Sequence, residues 1–296
     1  MNISHTLKKR IKDMKKIIVI PNVTKDAGLS LTSKVVSKLA SLGVTAYLDE
    51  KYEILDGAAR YSIPPDDAEA IIVIGGDGSV IDASVLAIEQ DIPLLGINLG
   101  KVGYLAMLDA DELERLSDLA EGRYAVDERM LLAIEKCSAD GTVTVGARLA
   151  VNEVIVCHDS YLGLTDIKIE NSYGDQVLYR ADGVIFATPQ GTTAYSLSAG
   201  GPIISHQLDS ITLTPVCPHT FFNRSIVYGP DDRVSVTNMG YGGLNISIDG
   251  RLSDHLDKGD RCSIYRSDKR VKMIAFGHSN LFSTLSKKIK LLHDLV

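Results

Sequence analysis

Residues 71–84 read IIVIGGDGSVIDAS and predict a strand, a glycine-rich turn and the start of a helix. The unbroken apolar run at 71–74 suits a strand that is buried on both faces, and apolar residues then recur at helical spacing from Val80 to Ile88. Ser79 is positioned to act as the N-cap of this helix. A buried strand that runs directly into a helix is the repeating unit of a parallel, helix-covered sheet.

The turn itself indicates phosphate binding. Glycines at 75, 76 and 78 let backbone N–H groups approach an anion closely, and the following helix directs its positive end to the same point. We therefore predict a phosphate-binding turn of Gly75, Gly76, Gly78 and Ser79. Asp77 is unexpected there, because a carboxylate beside phosphate is repulsive unless it takes a proton or shares a metal ion. This cost suggests a chemical role for Asp77, although a plain strand-to-helix connection is the alternative for the tetrapeptide alone.

Two common nucleotide-binding loops are excluded by their spacing. The segment Gly96 to Val102, GINLGKV, has three spacer residues where a Walker loop needs four, and no Ser or Thr follows Lys101. At Gly76 the dinucleotide fingerprint G-x-G-x-x-G would place its third glycine on Ile81.

Composition bounds the class of partner. The chain has 296 residues, of which 45% are hydrophobic and 23% charged, and its formal net charge is -7. Without a global basic field, nucleic acid and anionic membrane surfaces are not expected partners, whereas anionic small molecules remain possible. The four cysteines show no C-x-x-C pair and are expected to be reduced thiols in a cytoplasmic protein. We find no apolar run of 18 residues and no signal-peptide core.

The order of elements predicts two domains and a tail. We expect an α/β domain at 1–123 with a Rossmann-like parallel sheet, a mostly β domain at 124–275, and a helical tail at 276–296 that packs back on the first domain. Ligands of such sheets gather at the carboxyl ends of the strands, where the glycine turn falls. The predicted elements of the first domain are strands 17–23, 44–49, 70–74 and 94–97 and helices 27–42, 79–89 and 110–121.

Two further stretches carry many polar or glycine residues. Residues 180–202 read RADGVIFATPQGTTAYSLSAGGP, which predicts a strand at 184–187, a Pro-Gly turn and a short helix that presents hydroxyl groups. These hydroxyls suit a polar small-molecule pocket, while capping of their own helix would explain only one or two of them. Residues 98–108, NLGKVGYLAML, suit either a loop that packs Tyr104 and Leu105 at a domain junction or a substrate contact.

Together these stretches resemble the NAD kinase family, and the resemblance covers most of the chain. GGDG alone is shared with diacylglycerol and sphingosine kinases and, in similar form, with 6-phosphofructokinases, whereas TAYSLSAGGP is highly specific. The resemblance implies this two-domain architecture, a cytosolic homo-oligomer, and a divalent metal ion, Mg²⁺ or Mn²⁺, held mainly through donor phosphates. It rests on GGDG at 75–78, NLGKVGYL at 98–105, VNE at 151–153, the block at 182–203, LTPVCPHT at 213–220 and IDG at 248–250.

The family resemblance also implies an activity and a site. The activity is phosphoryl transfer from ATP, another triphosphate or polyphosphate to the 2′-hydroxyl of the adenosine ribose of NAD, which yields NADP. Asp77 is implied as the base that activates this hydroxyl. A lipid or sugar kinase that shares GGDG, or a non-catalytic NAD-binding sensor, are the alternatives, and His158 and His219 receive no role. The implied NAD-contacting residues are Asp77, Gly78, Asn152, Glu153, Arg180, Asp182, Thr193, Ala194, Tyr195, Ser196, Leu197 and Ser198.

The sequence departs from the family pattern at five positions. Ser79 stands where Thr is common, and Ser84 where a basic residue is frequent. Gln190 and Thr192 replace the usual Thr and Ser of TPTGSTAY, and Arg251 follows IDG where Gln is frequent. These departures bear on donor choice and fine specificity rather than on the reaction.

Overall fold

The computed structural model describes residues 8–10, 14–99, 103–105, 107–138, 140, 142–159 and 164–277. Because these ranges end at residue 277, most of the predicted helical tail at 276–296 lies outside the described residues. The chain divides into two compact units, one from residues 1–128 and 271–296 and the other from residues 129–270. None of the helices in the described ranges is both long enough and apolar enough to cross a membrane.

The first unit contains a parallel sheet whose strands lie in the order β4 (Ala58–Tyr61), β3 (Thr45–Asp49), β2 (Lys16–Pro21), β5 (Ala70–Gly75) and β6 (Leu94–Asn98). The end of β19 (Arg261–Ala275) adds to β6 through the parallel pair Met273 and Leu94. Short 3-10 turns occupy Ala27–Leu29 and Leu113–Arg115. The elements of this unit are β1 Lys8–Arg10, β2 Lys16–Pro21, α1 Ser30–Ser41, β3 Thr45–Asp49, β4 Ala58–Tyr61, β5 Ala70–Gly75, α2 Asp77–Glu89, β6 Leu94–Asn98, β7 Leu108–Asp109, α3 Leu116–Ala120, the start of β8 Tyr124–Cys137 and the end of β19 Arg261–Ala275.

The sheet of the first unit is buried on both faces, as its apolar runs predict. Ile17 and Ile72 face one side and share a buried cluster with residues of α1 and α3. Ile18 and Ile71, which point to the other side, are also fully buried. All six residues of β5 are buried, so the glycine turn leaves the centre of the sheet from a rigid strand.

Three predicted boundaries are wrong for local reasons. Helix α1 begins at Ser30 rather than at residue 27, because Gly28 and Leu29 have positive φ and the Asp26 carboxylate accepts from the N–H groups of Leu31 and Thr32, each at 2.9 Å. The helix predicted at 110–121 is only α3 with a 3-10 turn before it. The third wrong boundary is the start of α2, which lies at Asp77 rather than at residue 79.

The second unit is mostly β, and both of its sheets are antiparallel. One follows the order β15 (Ile226–Tyr228), β14 (Ile211–Val216), β13 (Gly183–Ala187), β10 (Glu153–His158), β17 (Leu244–Ile248) and β18 (Arg251–Leu256). The other contains the run β12 (Gln176–Ala181), β11 (Thr165–Glu170), β16 (Arg233–Asn238) and β19. The inward residues of both, such as Val156, Phe186 and Ile264, form one buried cluster. The remaining elements of this unit are β9 Val143–Ala150, β10 Glu153–His158, β11 Thr165–Glu170, β12 Gln176–Ala181, β13 Gly183–Ala187, α4 Tyr195–Ser198, β14 Ile211–Val216, β15 Ile226–Tyr228, β16 Arg233–Asn238, β17 Leu244–Ile248 and β18 Arg251–Leu256.

Candidate active site

The glycine turn joins β5 to α2 and exposes unused N–H groups. Gly76 is the N-cap of α2 and the helix begins at Asp77, so the prediction of Ser79 as N-cap is wrong. The N–H of Ser79 already donates to the carbonyl of Gly76 at 2.9 Å. By contrast, the N–H groups of Gly76, Asp77 and Gly78 donate to no residue within the described ranges. Three unpaired donors at the positive end of a 13-residue helix are suited to an anion.

Two residues that the sequence interpretation missed complete this turn. A Cβ added at Gly76 would lie 2.8 Å from Nζ of Lys25, so the exposed Lys25 ammonium lies directly over the turn. Asn22 Nδ2 donates to Ser79 Oγ at 2.7 Å, and a Cβ added at Gly75 would lie 2.5 Å from that oxygen. The signal for both is their position just after β2, since β2 is the parallel neighbour of β5 and the carboxyl ends of the two strands meet.

The carboxylate of Asp77 is held by a second loop. Oδ2 accepts from the N–H of Tyr104 at 2.9 Å, and Oδ1 accepts from the N–H of Leu105 at 3.0 Å. A Cβ added at Gly103 would lie 2.1 Å from Oδ1, so glycine is required by this close approach. Burial and the charge of Asp77 both raise the pKa of Tyr104, which keeps its phenol neutral. The backbone N–H groups of segment 103–105 therefore hold the carboxylate of Asp77. The sequence had suggested either a loop packed at a domain junction or a substrate contact, and neither includes this role.

In the second unit, Asp249 organises the segment of Asn152 and Glu153. Its carboxylate accepts from the N–H groups of Val151 at 2.8 Å, Asn152 at 2.7 Å and Glu153 at 3.1 Å. Burial raises the pKa of Asp249 although these three bonds act to lower it. Glu153 is 6% exposed, and burial together with the neighbouring Asp249 raises its pKa to about 7. The sequence indicated Asp249 only as part of the IDG motif.

The turn after β13 packs against the same segment. Thr188 donates from its N–H to the carbonyl of Asn152 and from its hydroxyl to the carbonyl of Val151, both at 2.8 Å. The N–H of Gly191 donates to Thr188 Oγ1 at 3.0 Å. A Cβ added at Gly191 would lie 1.9 Å from the carbonyl oxygen of Asn152, so only glycine fits. The structure thus brings together the VNE motif and the ATPQG turn, which are distant in sequence.

The hydroxyl-rich run serves the fold more than the sequence suggested. Thr192 and Thr193 donate their hydroxyls to the carbonyls of Pro189 and Gln190, at 2.6 and 2.9 Å, and the fully buried Ser196 bonds Thr214 at 3.1 Å. The run carries five hydroxyls, on Thr192, Thr193, Tyr195, Ser196 and Ser198. Capping and packing therefore use three of them, where we expected capping to use one or two. The predicted contact residues with exposed side chains in this run are Tyr195, Leu197 and Ser198, and those that are half-buried are Thr193 and Ala194.

Arg180 and Asp182 lie in the second unit but away from Asn152 and Glu153. Asp182 precedes β13, and the pairing of β13 with β10 places Gly183 opposite Cys157 and Ala187 opposite Glu153. Four residue steps of about 3.4 Å each separate the two ends of this ladder, so Asp182 and Glu153 do not meet within the unit. The carbonyls of Arg180 and Asp182 accept from the N–H groups of His219 at 2.7 Å and His158 at 3.1 Å. The predicted residues Asp77 and Gly78 belong to the first unit.

The side chains of the protein could ligate a divalent metal ion only if enough of them lay together. Within the described ranges, no group of three His, Cys, Asp or Glu side chains could hold a metal ion. A Mg²⁺ ion keeps several waters and commonly takes phosphate oxygens as ligands, with only one or two carboxylates from the protein. The residues that the structure describes therefore form no protein metal cage, which is compatible with an ion whose ligands are mostly substrate phosphates and water.

Comparison with known proteins identifies the family. The model of the ATP-NAD kinase N-terminal domain matches residues 60–124, and that of the ATP-NAD kinase C-terminal domain matches residues 151–276. The NAD kinase of Caldanaerobacter subterraneus subsp. tengcongensis is 36% identical over 285 residues, which cover 93% of this chain and 99% of the relative. The chain belongs to the NAD kinase family. Another relative, the NAD kinase of Natranaerobius thermophilus, is 33% identical over 284 residues, with coverage of 93% and 98%.

Solved structures of NAD kinases share the fold. Yeast NADH kinase complexed with NADH superposes with a TM-score of 0.82 at 19% identity, over 94% of this chain and 88% of that one. The NAD kinase from Archaeoglobus fulgidus in complex with ATP gives a TM-score of 0.68 at 24% identity, over 92% and 99%. The predicted combination of a parallel α/β sheet with a mostly β domain is confirmed.

Proposed function

We propose that this protein is an NAD kinase that transfers a phosphoryl group from ATP to the 2′-hydroxyl of the adenosine ribose of NAD and so forms NADP. Family membership supports the activity. The observation that carries the mechanism is the fixed carboxylate of Asp77, held by two backbone N–H groups at the glycine turn.

The glycine turn is proposed to bind the phosphate donor. Phosphoryl transfer depends mainly on positioning and on neutralising charge. The unpaired N–H groups of Gly76, Asp77 and Gly78 supply donors, and Lys25 supplies a positive charge beside them. Ser79 accepts a hydrogen bond from Asn22, and Gly75 has no side chain and so leaves room for this pair beside the turn. A bound Mg²⁺ or Mn²⁺ ion would add charge neutralisation at the phosphates, so EDTA is expected to stop turnover without changing the far-UV circular dichroism.

Asp77 is proposed as the general base. Each of its oxygens accepts one backbone N–H bond, which fixes the orientation of the carboxylate and leaves a lone pair for the proton of the ribose hydroxyl. The rigid β5 and the loop at 103–105 hold it from two sides. This role gives a physical reason for a carboxylate in a phosphate-binding turn.

NAD itself is proposed to contact the second unit. The half-buried Asn152 and the buried Glu153 are held on a fixed backbone segment by Asp249, which supports precise recognition. The remaining proposed contacts are Gly78, Arg180, Asp182, Thr193, Ala194, Tyr195, Ser196, Leu197 and Ser198.

The decisive test is to incubate the purified protein with NAD, ATP and Mg²⁺ and to detect NADP by mass. Phosphorylation of NAD, but not of sphingosine, diacylglycerol or fructose 6-phosphate, is expected. Phosphorylation of a lipid or a sugar without NADP would contradict the proposal and favour a kinase that shares only GGDG. Binding of NAD without any turnover would identify a sensor instead.

We also propose that the protein forms a homo-oligomer in the cytoplasm. Exposed apolar side chains of the second unit, among them Phe221 and Tyr241, support self-association, and the four cysteines are free thiols. Light scattering coupled to size-exclusion chromatography would measure the mass, and a monomer at micromolar concentration would contradict the proposed oligomer.

A further inference from the structure

A buried polar chain runs from Arg129 through Gln190 to Asn152, entirely within the second unit. Arg129 is 4% exposed and Gln190 is 8% exposed. Nη1 of Arg129 donates to Oε1 of Gln190, and Nε2 of Gln190 donates to Oδ1 of Asn152 at 3.2 Å. Gln190 is one of the positions at which the sequence departs from the family pattern.

The chemistry of arginine fixes the direction of both hydrogen bonds, from Arg129 to Gln190 and from Gln190 to Asn152. Guanidinium has only N–H donors, so the atom of Gln190 that faces Arg129 must be the carbonyl oxygen. The other end of that amide, its NH₂, then faces Asn152, and Asn152 must turn its own carbonyl oxygen toward it. The orientation of both amides thus follows from the donor-only character of Arg129 and does not depend on how similar the two ends of an amide look.

The backbone of Asn152 is fixed as firmly as its side chain. Its N–H donates to Asp249, and its carbonyl accepts from Thr188 and lies against Gly191. By contrast, the side-chain NH₂ of Asn152, at Nδ2, donates to no residue within the described ranges. Asn152 is half-buried, so this group is both oriented and accessible.

We infer that Gln190, supported by Arg129, is a positioning residue that makes Asn152 a hydrogen-bond donor to an acceptor atom of the bound dinucleotide. The inference rests on the proposed function, in which Asn152 contacts NAD. It adds the polarity of that contact and the residues that set it. Specificity follows, because a ligand that presents a donor at this point would face the NH₂ of Asn152 and leave both groups unpaired.

Gln190→Glu tests the polarity directly, because it keeps the size of the side chain, replaces the NH₂ donor by an acceptor oxygen and adds one negative charge beside Arg129. The carboxylate still accepts from Arg129, but its second oxygen can only accept, so the amide of Asn152 must turn over and present its carbonyl oxygen to the ligand. We expect the KM for NAD and the Kd of NAD by calorimetry to rise about tenfold, the usual effect of losing one hydrogen bond and opposing two acceptors. The kcat and the KM for ATP should stay within about twofold.

Three controls separate positioning from a loss of structure. Gln207→Glu places the same change at an exposed glutamine of the same unit and should alter none of these constants. Asn152→Asp removes the same donor without touching Gln190 and should raise the KM for NAD to a similar extent. In an Asn152→Ala background, Gln190→Glu should raise the KM for NAD no further, because the two residues act through one contact.

The outcomes are distinct from those of the proposed function. Any of three results would overturn this inference. The first is an unchanged Kd of NAD in Gln190→Glu. The second is a fall in kcat with an equal rise in the KM for NAD and the KM for ATP, and the third is additivity of Gln190→Glu and Asn152→Ala in the KM for NAD. Failure of the wild-type protein to make NADP would overturn the proposed function, whereas the calorimetric comparison needs no turnover and would still test Gln190 as long as NAD binds.

Discussion

Glu153→Gln should stabilise the protein, and it should do so only above acidic pH. Glu153 is buried beside the carboxylate of Asp249, and its Oε2 has no hydrogen-bond partner in the described part of the chain. Burial and the neighbouring Asp249 raise the pKa of Glu153 to about 7, against an ordinary value of 4.5. Glutamine has nearly the same shape and carries no charge at any pH, so the substitution removes the cost of ionisation alone.

The size and sign of the effect follow from this difference in pKa. At about 1.4 kcal/mol for each pKa unit, ionising Glu153 costs about 3 kcal/mol more in the folded chain than in the unfolded chain. Between pH 4.5 and about 7 the folded state holds a proton that the unfolded state has released, so the stability of the wild type falls as the pH rises through this window. The advantage of Glu153→Gln should therefore grow by about 2 to 3 kcal/mol between pH 5 and pH 8.

Urea unfolding followed by far-UV circular dichroism would measure this difference. Glu170→Gln is a control of opposite sign, because a hydrogen bond and the charge of Lys168 lower the pKa of Glu170. That variant should be slightly less stable than the wild type at pH 8, and the difference should vanish as the pH falls. A Glu153→Gln variant with the same advantage at pH 5 and pH 8, or with none at pH 8, would refute the reasoning.

Three further variants test the first unit. Asp77→Asn should lower kcat by about 10² to 10⁴, the range for losing a general base, while NAD still binds; more than a tenth of wild-type kcat would exclude this role. Gly103→Ala should lower kcat sharply, because its Cβ would collide with Asp77 Oδ1, whereas Gly146→Ala, which has open space, should keep full activity; equal kinetics for both would contradict the contact. Lys25→Met should raise the KM for ATP about fivefold, as expected for one exposed charge, with Lys34→Met as the matched exposed control; an unchanged KM would remove Lys25 from the donor site.

The parallel sheet could be predicted because its strands carry their own signal. Unbroken apolar runs such as 71–74 leave no face for water, and the structure buries them on both sides. Boundaries were less predictable where a single side chain decided them. The start of α1 depends on Asp26 capping Leu31 and Thr32, five and six residues away, and such a cap is not visible in apolar periodicity.

The site could be predicted by residue type but not by contact. Asp77 and Asn152 were identified from motifs, whereas the groups that hold them come from elsewhere in the chain. Tyr104 and Leu105 act through backbone N–H groups, which no side-chain pattern reveals. Asp249 bonds a segment 96 to 98 residues away. Contacts of this kind depend on tertiary packing, and a single sequence carries no direct record of them.

The placement of Asp77 at the first residue of α2 links its two proposed roles. A carboxylate at this position ordinarily stabilises the positive end of its own helix. Here it turns instead toward the N–H groups of Tyr104 and Leu105, because Gly103 has no side chain to prevent the approach. The N–H groups of Gly76, Asp77 and Gly78 consequently keep no partner within the described residues. One set of backbone contacts thus orients the base and leaves the helix terminus available for phosphate, which allows a carboxylate and a phosphate donor to share a single turn.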